Sequence, residues 1–299
     1  MKKLNPSHFI YDELGVTNAD FFNVDLSNDN CRFLNPYEIE RLNSAVAKRA
    51  TAVAIDFFET IRWEITSGRL LQAHNLFCGY LTEPKETCLG YSQYGVAGRG
   101  IGELAEYILG EICKDDAFLC KTMRRIEDIK LFIPQISNDR VSDLYTNVIR
   151  KVLIDYTREQ CELHNIPLRE KVTAMYWDDV RHSWVKTVEK QYICPVDNRP
   201  KLLIPKTFIK RDTYNLGKMN RRVIIPDYME KELRMPESSI VHQTKAGDKK
   251  VSKKDMRAEI KRRGIILDKS HAVEFAKEHP DCVDALRKSM DKWAQKKKK

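Results

Sequence analysis

From Asn35 to Gly68 the chain reads NPYEIERLNSAVAKRATAVAIDFFETIRWEITSG. Ile39, Leu42, Val46, Ala50, Val53, Phe57 and Ile61 recur at three- and four-residue steps, the spacing that puts apolar side chains on one face of a helix. Asn35 is a suitable N-cap, Pro36 suits the first helical position, and Gly68 marks the end. A stripe this long needs a large apolar partner, and a 42% hydrophobic content supplies one. The chain therefore reads as mainly helical.

Helices are also expected over 69–80, over ELAEYILGEICK, over about 115–125, and from about Asp139 to His164. IKLFIPQI (129–136) reads as a strand. KVTAMYW, SWVKTVEKQYIC and KLLIPKTFI read as a small antiparallel sheet with DNRP as a turn. Short helices broken by Pro226, Pro236 and Gly247 follow, then helices near 253–263 and 270–295. The expected class is α+β: a helical body with a small antiparallel sheet over 1–240, and a basic helical appendage over 241–299.

Charge is unevenly placed. Of the net +9, all lies in 241–299, which holds 18 Lys and Arg against 9 Asp and Glu; residues 1–240 are neutral. Clustered cations release counterions from phosphates, so nucleic acid is the expected partner, DNA rather than RNA, with Lys253, Lys254, Arg257, Lys261, Arg262 and Arg263 on its backbone. There is no apolar run of membrane-span length and no signal-like segment, so a cytoplasmic protein with no membrane partner is expected. Eight cysteines form no CxxC pair and no zinc spacing, and read as buried thiols.

Four constellations could carry chemistry. In SNDRVSDLYTNVIRK, Asp139, Asp143, Asn147 and Arg150 share one helix face. Two carboxylates a turn apart suit a hard divalent cation, Mg or Mn, with Asn147 or Ser142 completing the shell. The loop LGYSQYGVAGRGIGE can cradle an anion, with Arg99 adding charge and Glu103 beside it, but its spacing fits no nucleotide fingerprint. Lys206 in KLLIPKTFIKRD is a candidate for stabilising transition-state charge, and Asp128-Ile129-Lys130 has (D/E)xK spacing, with Asp115 or Asp116 upstream. Arg158 and His164 have the spacing of some helical ribonucleases, although a helix C-terminus explains His164 equally well. Trp177 and Trp184 read as core rather than as base-stacking platforms.

The stretches FFNVDLSNDNCRFLNPYEI, LTEPKETCLGYSQYGVAGRGIGE, LFIPQISNDRVSDLYTNVIRKVLIDYTREQCELHNIPL and KLLIPKTFIKRD together resemble a family of uncharacterised bacterial proteins found among restriction, antiphage-defence and mobile-element genes. The resemblance singles out Asp25, Asp29, Gly90, Ser92, Gly100, Gly102, Asp139, Ser142, Asp143, Asn147 and Lys206, and departs at Asn35, where the pattern carries Asp. It implies a setting, not a mechanism. The expected function is metal-dependent phosphodiester hydrolysis in antiphage defence, with Asp139 and Asp143 holding the metal, Asn147 and Lys206 assisting, and Arg99 and Arg150 on phosphate. The alternatives are a non-catalytic nucleic-acid-binding or sensor subunit with a protein partner in a defence complex, and a nucleotide-binding module built on the glycine loop.

Overall fold

The computed structural model describes residues 7–28, 30–90, 101–114, 121–211, 213–235 and 237–298. Its helices are α1 (Ile10–Leu14), α2 (Pro36–Ile39), α3 (Ala45–Thr66), α4 (Leu70–Cys78), α5 (Ile101–Cys113), α6 (Ile129–Phe132), α7 (Asn138–Val148), α8 (Arg150–Leu163), α9 (Leu216–Met219), α10 (Ile225–Arg234), α11 (Lys253–Arg262), α12 (Lys269–Glu278) and α13 (Cys282–Lys298). The strands are β1 (Glu170–Asp178), β2 (Ser183–Gln191) and the two-residue pairs β3 (Ile193–Cys194) with β4 (Arg199–Pro200) and β5 (His242–Gln243) with β6 (Lys249–Lys250). The class is α+β with a helical C-terminal region, as expected.

The helical stripe at 35–68 is real but interrupted. Asn35 accepts from Glu38 N and caps α2, and Ser44 then accepts from Ala47 N to start a second helix. The inner face of α3 supplies Ala50, Val53, Phe57 and Ile61 to the main core. The hairpin β1–β2 pairs antiparallel from Glu170 with Gln191 to Asp178 with Ser183. Two indoles pin it to the helices: Trp177 Nε1 donates to Asp56 Oδ1 at 2.6 Å and Trp184 Nε1 to the Leu76 carbonyl at 2.6 Å. Trp177 is 1% exposed and both rings pack edge-on to Phe57, so the core reading of the tryptophans holds.

Several elements differ from expectation. Residues 129–136 form no strand. Asp128 Oδ2 accepts from the backbone N–H groups of Arg124 and Arg125, closing a 3₁₀ turn (Ile126–Asp128) that runs into α6. Ile129, Leu131, Phe132 and Ile133 are all buried, and a short run buried on every side has no periodicity by which helix and strand differ. The helix expected over 139–164 is two, α7 and α8, hinged at Ile149. KLLIPKTFI adds no strand to the hairpin: Pro205 makes an isolated bridge to Phe21, and Lys206–Phe208 is a 3₁₀ turn. Pro226 does not break its helix. A π-helical turn, Asn220–Ile224, precedes it and widens the backbone where a proline ring would meet a carbonyl. The last expected helix is divided into α12 and α13 at Pro280.

The expected boundary at residue 240 is not a break in packing. Ala272, Phe275 and Ala276 of α12, and Cys282, Val283, Leu286 and Met290 of α13, belong to the same core as α3, α7 and α8. A buried ionic cluster reinforces the junction. Arg287 donates to Glu40 (2.9 Å), Glu127 (2.6 Å) and Asp128 (3.2 Å), and the Tyr214 hydroxyl donates to Asp128 at 2.6 Å. Helix α11 packs apart from this, through Met256 and Ile260, with Val251 just before it, against Ile225 of α10. Among the described residues no helix is long and apolar enough to cross a membrane. Cys161, Cys194 and Cys282 are buried as expected, but Cys31 is exposed.

Candidate functional site

Helix α7 brings two of the expected residues together. Asp139 and Asp143 are both half-buried. Burial pushes the Asp143 carboxyl up to about 7; the charges of Asp139 and Glu83 add to this and Arg140 opposes it. Gly90 lies against Asp139. A Cβ on Gly90 would lie 3.3 Å from Asp139 Oδ1, and Gly90 has φ +127°. Gly90 is fixed there by its N–H bond to the Asn30 carbonyl at 3.0 Å. The next residues along, including Ser92, Arg99 and Gly100, lie outside the described residues, as do Asp29, Asp115, Asp116 and Cys120; Gly102 and the exposed Glu103 are in the first turn of α5.

Asn147 and Arg150, expected beside the carboxylates, serve the fold instead. Asn147 is 1% exposed: its Oδ1 accepts from Thr82 N at 3.1 Å, and its Nδ2 donates to the carbonyls of Thr82 (2.7 Å) and Asp143 (2.8 Å). Arg150 donates to Asn147 Oδ1 at 2.9 Å and is ion-paired with Glu86. Both side chains are turned to the Leu81–Glu86 segment, so neither is placed for a metal or a phosphate. Ser142 Oγ accepts from Leu34 N at 3.0 Å.

The Lys206 ammonium lies 5.4 Å from the centre of the Tyr11 ring. The (D/E)xK reading also fails, because a helical turn sends its two ends apart: Asp128 into the Arg287 cluster, Lys130 to Asn138 Oδ1 at 3.1 Å. Arg158 pairs with Asp155 and Glu189, while His164 sits edge-on to Phe21, so they do not converge. Asp25 holds a turn, accepting from Ser27 N and Asn28 Nδ2 at 2.9 Å. Asn35 needs its amide: besides capping α2 it donates to the Arg211 carbonyl at 3.2 Å, which Asp cannot do when ionised. Among the described residues no three His, Cys, Asp or Glu side chains converge as a metal site, so Asp139 and Asp143 would need water or further ligands to hold Mg or Mn.

The basic helix is more selective than its sequence. Arg262 and Arg263 both donate to Glu259, at 2.6 and 2.7 Å, and Arg263 also pairs with Glu232; their charge is matched locally. Lys253, Lys254, Arg257 and Lys261 are exposed. At about 100° per residue they fall within an arc of about 100°, and Asp255 and Glu259 fall outside it. Arg257 also lines a concavity of about 450 Å³ with Lys218 and Arg221, and no carboxylate is among its described lining residues. Lys253 Nζ donates to the Arg221 carbonyl at 3.3 Å, which joins helix to groove. Lys218 and Arg221 were not singled out from the sequence; three cations within five residues, KMNRR, were the available signal.

A family model described as a domain of unknown function (DUF8370) matches residues 13–216. No curated protein matches the chain, and no solved structure does.

Proposed function

The chain belongs to that family of domains of unknown function; since membership brings no activity with it, we propose from geometry that the protein binds the phosphate backbone of nucleic acid along α11 and the groove beside it. The observation that carries this reading is the single-sided exposure of Lys253, Lys254, Arg257 and Lys261, continued by Lys218 and Arg221. Such a surface gives sequence-independent, salt-sensitive affinity. The test is fluorescence anisotropy with labelled DNA and RNA, single- and double-stranded, on the full chain and on Lys254→Glu/Arg257→Glu/Lys261→Glu. Binding weakened by more than about tenfold in the variant supports the reading. Equal binding by both proteins, or none at low salt, refutes it.

A second reading, metal-assisted phosphodiester hydrolysis, is favoured by the Asp139–Asp143 pair. A divalent cation would relieve the mutual repulsion of these carboxylates, and it would supply Lewis-acid activation of water or of a phosphoryl oxygen. Asp139 and Asp143 would hold the ion; Asn147, Arg150 and Lys206 are not part of this version. Cleavage of plasmid DNA or total RNA that needs Mg²⁺ or Mn²⁺ and is lost in Asp139→Ala/Asp143→Ala supports it. A folded wild-type protein that binds nucleic acid but cleaves neither substrate with either metal leaves the binding function alone.

A further inference from the structure

A cavity of about 320 Å³ opens between the Arg32–Pro36 segment, the first turn of α7 and the Ile209–Arg211 segment. Its floor is apolar, with Leu34, Pro36 and Val141 all buried. One charged group is set into that floor: Lys130 is 7% exposed, and its Nζ donates to Asn138 Oδ1. Arg32, Lys210 and Arg211 stand exposed at the rim. The described lining thus carries four cations and no carboxylate.

Two further features of the described residues place positive charge on that side. Helix α7 has no side-chain cap hydrogen bond from its N-cap Ser137, and its first residue, Asn138, lines the cavity, so the positive end of an eleven-residue helix points that way. Asp139 in the same turn is beside Gly90 and is not among the lining residues. Behind Lys130, Lys269 Nζ donates to the Ile133 and Ile136 carbonyls at 2.7 and 2.8 Å, and burial together with the Lys130 charge pushes its ammonium down to about 8.

We infer that this cavity binds a nucleoside monophosphate, with its phosphate on Lys130 and the first turn of α7 and its base against Pro36, Val141 and Ile209. An apolar floor with one set-in cation suits a ligand that is flat and apolar at one end and anionic at the other, and the volume suits one nucleotide unit. A free mononucleotide and the 5′-phosphorylated end of a strand present this same chemistry. On the strand end, Arg32, Lys210 and Arg211 meet the phosphates that follow. None of these residues belongs to the α11 surface, so the inference stands apart from the function proposed above.

The experiment is calorimetric titration of the full chain with AMP, GMP, CMP and UMP, with the matching nucleosides, and with dinucleotides bearing a 5′-phosphate or a 5′-hydroxyl. At least one monophosphate is expected to bind saturably and at least about tenfold tighter than its nucleoside. Lys130→Met should weaken that binding by about tenfold or more. The exposed Arg32→Glu/Arg211→Glu variant, which removes no core contact, should weaken it too, and the α11 triple variant should leave it unchanged. Tighter binding of the 5′-phosphorylated dinucleotide assigns the site to strand ends, and tighter binding of the monophosphate assigns it to free nucleotide. Absence of saturable binding by every phosphorylated probe, or binding indifferent to both pocket variants, overturns the inference.

Discussion

Replacing Arg287 by Met keeps most of the side-chain volume and removes the charge at the centre of the junction between α13 and the body. The guanidinium bonds to Glu40, Glu127 and Asp128, and its side chain is 17% exposed. Glu127 and Asp128 are 3% and 0% exposed, so after the substitution neither can be rescued by water without local opening. Removing one partner of a buried ionic cluster costs about 3–5 kcal/mol, most of it the desolvation of the carboxylates left behind. For a chain of this size about 1 kcal/mol lowers Tm by roughly 2–4 °C, so a drop of roughly 10 °C is expected. The loss should depend on pH. Burial already raises the Glu127 carboxyl, against the opposing charge of Arg287; without Arg287 it rises further. A carboxyl whose folded pKa lies above its unfolded value stabilises the fold below the unfolded pKa and loses that contribution as pH rises through the folded one. The gap between wild type and Arg287→Met should therefore be smallest in acid and widen toward neutral pH. Thermal and urea denaturation between about pH 5 and pH 8 measure it. A Tm within about 2 °C of wild type at neutral pH would refute the claim that α13 is held by this cluster.

Three other outcomes follow from the geometry. Neutralising Lys254, Arg257 and Lys261 to Gln should reduce the slope of log K against log salt for duplex DNA by about 2.7, whereas Arg262→Gln, whose guanidinium is bound to Glu259, should change it by less than about 0.5. Asp143→Asn should grow more stable relative to wild type, in EDTA, as pH rises from about 5 to 8, because a folded pKa of about 7 means that the wild type loses stability over that interval. The full shift would be about 4 kcal/mol and partial exposure reduces it to roughly 1–2, read as a Tm difference of several degrees; an unchanged difference across the range would show that Asp143 ionises normally. Gly90→Ala should destabilise by about 1–3 kcal/mol in urea titrations, since φ +127° is strained for an L side chain and the new methyl presses on Asp139.

What could be read from the sequence was the part written in periodicity and caps. The stripe of α3, its stop before Gly68, the cap at Asn35 and Pro36 (which opens α2 rather than α3) and the pairing of β1 with β2 all express local geometry, and all are present. Residues 129–136 were misread because complete burial erases the period, and Pro226 because a π turn upstream changes what a proline obstructs. Helical spacing aligns Asp139, Asp143 and Asn147 along α7, while Arg150 lies beyond the Ile149 hinge on α8, and spacing does not say what lies opposite any of them. These residues meet two environments: Gly90 beside Asp139, and the Leu81–Glu86 segment, which takes up Asn147 and Arg150. Likewise a bare count of cations in 253–263 does not separate Lys254, Arg257 and Lys261 from Arg262 and Arg263: Glu259, three and four positions before the last two, takes up both, and Glu232 on α10 adds a second partner for Arg263 that no local spacing shows.

The two surfaces proposed for ligands differ in what they owe to the family. Arg32, Lys130, Asn138 and Arg211 of the cavity, and the Asp139–Asp143 pair, all fall inside the matched residues 13–216. Lys218, Arg221 and the whole of α11 fall outside them. Packing nevertheless does not stop at 216. Phe275, Val283, Leu286 and Met290 complete the core that α3 and α7 begin, and Arg287 closes the charge cluster that Glu40, Glu127 and Asp128 open. Cutting the chain at the edge of the match, or at residue 240, would thus expose an apolar face and leave buried carboxylates without their cation. Loss of nucleic-acid binding after such a deletion would report unfolding as readily as loss of contacts. Charge substitutions on the exposed face of α11 remove the contacts and leave the core whole, so they alone separate a binding surface from a structural brace.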